Sequence, residues 1–142
     1  MLKLLLMGHL IFIATGTGMS FANYINIRMA HGETGERGQA LTYLRRILAQ
    51  FADVVIFLIW VSGIALAVTY AGTYGRDFPA WFYVKIGFVV LLTLAHITAR
   101  LTASKMIRTG DQSLYGRMEM LVGVVWLSAL AAIALAVLAF GR

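Results

Sequence analysis

The sequence predicts an all-α integral membrane protein in which one domain, residues 1–142, forms a bundle of four transmembrane helices. Hydrophobic residues make up 61% of the chain and charged residues only 13%, whereas about 25% of the residues of a soluble domain are charged. Four apolar stretches are each long enough to cross a hydrocarbon layer of about 30 Å, which takes about 20 helical residues. A soluble domain of this size could not bury so much apolar surface in its own core.

The four predicted spans cover residues 4–27, 47–71, 78–103 and 118–140. Lys3 and Arg28 bracket the first span, and Pro79 suits the first turn of the third. The first span could also be the core of a cleaved signal peptide, but its apolar run is longer than the roughly 7–15 residues of such a core. We therefore expect an uncleaved membrane anchor.

The basic residues predict the orientation of these spans. Eight lie on the side of the two long loops and three on the other side. Because cytoplasmic loops are enriched in Lys and Arg, we expect the long loops in the cytoplasm and both termini on the outer, periplasmic side of a bacterial inner membrane. The eight are Arg28, Arg37, Arg45, Arg46, Arg100, Lys105, Arg108 and Arg117, and the three are Lys3, Arg76 and Arg142.

These basic loops also favour contact with anionic membrane lipid as a partner. They form no continuous basic stripe, so we expect no nucleic-acid partner. Small residues recur at four-residue spacing on two spans, a pattern that lets helices in lipid approach closely. We expect a compact bundle, either alone, as a homo-oligomer or within a larger membrane complex. The rows are Gly63, Ala67 and Ala71, and Ser128, Ala132 and Ala136.

Two acidic residues repeat one spacing. Asp53 precedes Trp60 by seven residues in the second span, and Glu119 precedes Trp126 by seven in the fourth. Both pairs enter the membrane from the predicted cytoplasmic side. The repeat suggests that the chain consists of two similar helical hairpins.

His9 and Lys85 are the polar residues whose position inside the predicted spans points to a function. A charged side chain in the middle of a span costs about 2.5–3.5 kcal/mol on insertion scales. His9 lies five residues into the first span and Lys85 seven into the third, so they share a depth near the outer leaflet. Three interpretations are open: a polar cofactor or substrate site, a proton relay, and a lysine that merely reaches outward to water.

A second polar group lies near the predicted cytoplasmic ends of the spans. The opposite charges predict ion pairs such as Asp53 with Arg100 and Glu119 with Arg28. The alternative is that the arginines simply extend towards the lipid headgroups. His96 belongs to the same region, and a histidine between bundle helices is a common axial ligand of a b-type haem.

One haem shared by His9 and His96 is unlikely on geometric grounds. Lys85, at the depth of His9, is eleven residues from His96, which separates the two depths by about 16 Å. A haem at His9 alone, or one at each end, remains possible. The chain has no cysteine, which excludes disulfides and thiolate-bound metals, and no hydrolase or phosphate-loop motif is present.

The segments around these residues resemble a known family. Residues 7–11 (MGHLI), 81–88 (WFYVKIGF) and 94–96 (LAH) are similar to the first and third helices of the HemJ-type protoporphyrinogen oxidases and, more widely, of CopD-like small membrane proteins. The resemblance implies bound haem b, oxidation of protoporphyrinogen IX, catalytic roles for His9 and Lys85, and cofactor binding by His9, Lys85 and His96, with His9 as the ligand of the haem iron.

We therefore expect a haem-associated membrane oxidoreductase of porphyrin biosynthesis. The alternative is a non-catalytic accessory or assembly subunit of a larger membrane complex. In that case Trp60, Trp81, Trp126 and the small-residue rows would contact the partner.

Overall fold

The computed structural model describes residues 2–75 and 78–140 and confirms the predicted all-α fold. The described residues contain no strand, and each long helix has the length and apolar composition needed to cross a membrane. The helices are α1 (Leu2–Ala30), α2 (Gly35–Tyr74), α3 (Ala80–Thr109) and α4 (Tyr115–Phe140), and a 3-10 turn, Gln112–Leu114, precedes α4. Arg76 and Arg142, two of the basic residues used to predict the orientation, lie outside the described residues.

The ends of α3 follow from local sequence. Pro79 immediately precedes the helix, one position before the first turn for which it was predicted, and its carbonyl accepts the amide hydrogen of Phe82. At the other end Gly110 adopts φ = 68°, a left-handed conformation, and its amide donates to the carbonyl of Met106. Glycine is favoured here because it has no Cβ to oppose positive φ. The chain can therefore reverse directly into α4.

The four helices run alternately up and down. α1 packs along both α2 and α4, and α4 packs along α3. On the remaining side, α2 and α3 meet mainly through side chains, including a hydrogen bond from Trp60 to Thr93. We call the end of the bundle with the α1–α2 and α3–α4 connections the loop end, and the end where α1 begins and α4 finishes the termini end.

Two apolar clusters hold α3 and α4 together. Near the loop end, Ile27 of α1 is fully buried beside Met118. Deeper in the bundle, Leu92 and Ala95 pack against Val125. Outside these clusters, large apolar side chains such as Phe57 remain widely exposed. This pattern is typical of helices whose outer faces contact lipid rather than water.

Most helix ends lie beyond the predicted spans, most of all the start of α2, whereas α3 begins at Ala80, two residues after the predicted start at 78. α2 begins at Gly35, twelve residues before the predicted span at 47, and its 40 residues correspond to about 60 Å of helix. The added turns are rich in Glu, Arg, Gln, Leu and Ala, which favour helix regardless of hydrophobicity. Hydrophobicity therefore marked the part of the helix suited to the membrane and not the end of the helix.

The small-residue rows face the inside of the chain. Gly63 packs against the ring of His9 on α1, Ser128 is buried, and Ala132 lines a cavity at the centre of the bundle. These residues thus allow the chain's own helices to approach, as their spacing predicted.

Candidate functional site

His9 lies on α1 with its ring against α2. Its Nδ1 is 2.7 Å from Oγ of Ser62. Beside this contact, a Cβ added to Gly63 would lie only 3.3 Å from Cε1 of His9. The absence of a side chain at position 63 therefore lets the imidazole rest directly against the backbone of α2.

The hydrogen bonds of Ser62 determine which nitrogen of His9 carries the proton. The Ser62 hydroxyl is 2.5 Å from the carbonyl oxygen of Leu58 and 3.3 Å from that of Ile59, so its single hydrogen points back to its own helix. The oxygen can then only accept from His9, which makes Nδ1 the donor. In the neutral ring, Nε2 consequently carries a lone pair and can accept a proton.

Lys85 brings a positive charge to this region from α3. Its Nζ lies 4.8 Å from the centre of the Phe82 ring, and Phe82 in turn stacks on Phe78 with 4.3 Å between ring centres. The ammonium group also interacts electrostatically with the His9 ring. α3 and α1 thus direct a cation and an imidazole towards the same part of the bundle, while the catalytic roles of both stay a prediction.

Asp53, His96 and Arg100 form a second polar cluster, between α2 and α3. One carboxylate oxygen of Asp53 is 2.6 Å from Nε2 of His96, and the other is 3.1 Å from Nη2 of Arg100. The predicted Asp53–Arg100 pair is confirmed. The addition of His96 was not predicted, although its spacing of four residues from Arg100 places both on one helix face.

Glu119 and Arg28 form the other predicted ion pair. Their side chains approach to 3.4 Å near the loop end, where α4 meets α1. The Arg28 side chain is 63% exposed and that of Glu119 31%, so water screens the pair and its contribution to stability is small. The pair joins α1 to α4 at the loop end.

The two transmembrane histidines belong to separate clusters. Ser62, the partner of His9, and Asp53, the partner of His96, are nine residues apart on α2, or about 14 Å along the helix axis. This separation agrees with the prediction that they do not share one iron. His31, the third histidine, lies at the loop end with its ring edge against Tyr115.

The bundle contains a candidate ligand for haem iron but little internal space for a porphyrin. The imidazole of His9 is a suitable iron ligand, but the central cavity holds only about 50 Å³ and a second one about 10 Å³, and neither is lined by His9. Pockets for cofactors measure roughly 300–1,000 Å³. With the helices as packed, neither cavity accommodates a porphyrin. A porphyrin or porphyrinogen would therefore meet the partly exposed His9 and Lys85 from the lipid-facing side of the bundle, and haem binding at His9, His96 or Lys85 stays a prediction.

The described residues also contain no group of three His, Asp or Glu side chains that could hold a metal ion.

Ser62 is the site residue that the sequence analysis missed. Gly16 packs beside Val55, and the same antiparallel register places His9 beside Ser62. An antiparallel alignment of the first two spans in this register would predict Ser62 as the partner of His9 from the sequence. Without that register, Ser62 resembles any other small residue of a packed helix.

Two of the three tryptophans make contacts inside the chain. Trp60 donates to Thr93 at 3.0 Å, and Trp126 stacks on Tyr24 with 6.0 Å between ring centres. Trp81 is half exposed. The surface that the accessory-subunit hypothesis assigned to a partner is thus largely used for internal packing.

Comparisons with protein-family models, with curated proteins and with solved structures gave no match for this chain.

Proposed function

We propose that this chain is a membrane oxidoreductase subunit in which His9 accepts a proton from an amphipathic, acidic substrate held near Lys85. The hydrogen bond from His9 to Ser62 carries the proposal, because it leaves Nε2 of the imidazole as a base. The resemblance to HemJ-type enzymes supplies the substrate class, a porphyrinogen with carboxylate side chains.

Each residue has a separate task in this proposal. Oxidation of a porphyrinogen removes protons as well as electrons, and a positioned imidazole contributes about 10²- to 10⁴-fold to such a transfer. Ser62 holds the ring in the correct tautomer. The ammonium group of Lys85 attracts a substrate carboxylate to the same region. The electrons pass to an external acceptor, a lipid-soluble quinone of the membrane, and each quinone is reduced to a quinol as it takes up two electrons and two of the released protons.

The proposal also includes an orientation in the bacterial inner membrane. With the loop end in the cytoplasm, His9 and Lys85 lie in the outer half of the bilayer and the Asp53 cluster in the inner half. Fusion of alkaline phosphatase to the C-terminus should then give an active enzyme, and fusion of green fluorescent protein should give no fluorescence. The reverse result would exclude this orientation.

Membranes from cells that express the chain provide the test of activity. We expect porphyrin fluorescence from protoporphyrinogen IX to appear faster than in membranes without the chain, and His9→Ala to lose at least about 10²-fold of the added rate. His31→Ala is the matched control, since His31 lies at the loop end, and should keep the rate. A wild-type chain that adds no rate would overturn the proposal.

Haem is tested separately by an absorption spectrum of the purified chain after growth with ample haem. A Soret band that is lost in His9→Ala but kept in His96→Ala would assign iron to His9. A spectrum without a Soret band would remove haem from the site and leave the proton-accepting role of His9 intact.

A further inference from the structure

Arg45 is a buried charge in a part of α2 that precedes the predicted membrane span. Its exposed fraction is only 7%, yet among residues 2–75 and 78–140 it forms neither an ion pair nor a side-chain hydrogen bond. A guanidinium has several N–H donors and stays charged at neutral pH. None of its nitrogens is among the fully buried, unpaired polar atoms of the described residues, so an acceptor from outside can reach the guanidinium. Without one, the largely buried charge is costly.

The surroundings of Arg45 supply no negative charge. Its electrostatic neighbour is Tyr115, at the start of α4, whose hydroxyl donates to the carbonyl of Ile27 at the end of α1. Burial lowers the pKa of Arg45 and raises the pKa of Tyr115. The arginine nevertheless remains a cation and the phenol remains neutral near pH 7.

Of the four acidic residues of the loop end, three are engaged elsewhere, Asp111 by hydrogen bonds from Ser113. Glu119 pairs with Arg28 at 3.4 Å, and Glu33 pairs with Arg37 at 3.3 Å. The fourth, Glu36, lies nine residues before Arg45 on the same helix, about 14 Å away along its axis. A ligand that neutralises Arg45 must therefore come from outside the described residues.

Asn26 provides an independent sign of a missing ligand. It precedes Ile27 on α1, is 4% exposed, and both its Oδ1 and its Nδ2 are buried without a hydrogen-bond partner. Buried side-chain amides are nearly always satisfied by protein or water. The antiparallel register that sets His9 against Ser62 and Gly16 against Val55 sets Asn26 of α1 opposite Arg45 of α2. An unpaired amide and an unpaired cation thus occupy facing positions at the loop end.

We propose that this end of the bundle binds a phosphate group, held by Arg45 and by the amide nitrogen of Asn26. Arginine binds phosphate through paired hydrogen bonds. Arg45 also lies two residues before the predicted span, at the depth of lipid headgroups, where basic pockets between helices bind acidic phospholipids. An acidic phospholipid and a free phosphate would present the same chemistry. The site is independent of the function proposed for His9.

Native mass spectrometry of the full chain in a neutral detergent tests this proposal. With phosphatidylglycerol added, we expect one lipid retained per chain, and at least about tenfold weaker retention in Arg45→Met. Phosphatidylcholine, which lacks net charge, should bind more weakly to the wild type. Arg46→Met is the matched control, because Arg46 is the exposed neighbour, and should bind as the wild type does.

Two further measurements distinguish a bound phospholipid from free phosphate and control for misfolding of the variant. If inorganic phosphate at millimolar concentration displaces the lipid fully, the site is one for free phosphate; if the lipid persists, the acyl chains contribute. Asn26→Leu removes the amide without altering charge and should weaken lipid retention several-fold while the chain remains folded. Retention unchanged in both Arg45→Met and Asn26→Leu would overturn the proposal.

Discussion

The hairpins α1–α2 and α3–α4 make equivalent ion pairs with each other, but only in the first does a buried serine contact a histidine. Asp53 of the first hairpin pairs with Arg100 of the second, and Glu119 of the second pairs with Arg28 of the first. Each hairpin thus supplies one acid and one arginine to the other. The equal spacing seen in the sequence corresponds to an exchange of equivalent contacts, although a duplicated origin stays a prediction.

The tryptophans follow the same exchange. Trp60 contacts Thr93 of the second hairpin, and Trp126 contacts Phe21 of the first, with 5.2 Å between ring centres. Thr93 precedes Arg100 by seven residues, as Phe21 precedes Arg28. The repeat therefore includes α1 and α3, which carry Phe21 and Thr93, as well as α2 and α4, which carry the tryptophans.

The difference lies in the serine that follows each tryptophan by two residues. Ser62 and Ser128 are both buried, but Ser62 holds the ring of His9. The alignment that relates Arg28 to Arg100 places Trp81 at the position of His9. Only the first hairpin therefore has an imidazole beside this serine, so the contact between serine and histidine is not required by the packing that the two hairpins have in common.

Substitution of Asp53 and of Glu119 should give the largest difference in stability between the two hairpins. Asp53→Asn leaves Arg100 and His96 without their shared anion, and we expect a loss of about 2 kcal/mol, less than the cost of breaking a fully buried pair because these side chains are partly exposed. Glu119→Gln, at the equivalent position, should cost less than about 1 kcal/mol. Thermal denaturation in detergent measures both. Equal losses would contradict the distinction between the two pairs.

Substitution of Ser62 and of Ser128 should distinguish an effect on activity from an effect on stability. Ser62→Ala frees the tautomer and orientation of His9, and we expect it to lose part of the roughly 10²- to 10⁴-fold that a positioned imidazole contributes, about tenfold or more. Ser128→Ala, the matched change in the other hairpin, should leave the rate of porphyrin formation unchanged. A comparable loss in both variants would mean that the serines act only through helix packing.

The residues after the serines provide a finer test. Gly63→Ala gives α2 the residue that α4 has at Ala129, and the new Cβ, 3.3 Å from Cε1 of His9, displaces the ring by a few tenths of an ångström. Because small misplacements of a catalytic group are costly, we expect up to about a tenfold loss of rate. Little change in melting temperature should accompany it. Unaltered kinetics would show that the ring tolerates the displacement.

The tryptophans should give the smallest effect. Trp60→Phe removes the hydrogen bond to Thr93 and should cost about 1 kcal/mol, whereas Trp126→Phe reduces aromatic stacking and should cost about 0.5 kcal/mol. Denaturation in detergent again provides the measurement. A larger loss at Trp126 would reverse the order expected from the contacts.

The sequence predicted what depends on composition, periodicity and charge. The fold class and the four spans follow from hydrophobicity, and the pairs Asp53–Arg100 and Glu119–Arg28 follow from charges at a common depth. The partner of His9 and the burial of Arg45 could not be predicted in this way. They depend on how each helix is rotated and on the register between helices, which a single apolar sequence leaves undetermined.

The side of the bundle between α2 and α3 has a consequence for how molecules reach its interior. Along this side, polar and aromatic side chains join the two helices with little direct backbone packing. Separating them breaks a few bonds, whereas separating α1 from α2 disrupts a continuous helix interface. A molecule dissolved among the acyl chains would therefore meet the least resistance here, and could enter sideways from the bilayer without first crossing into water.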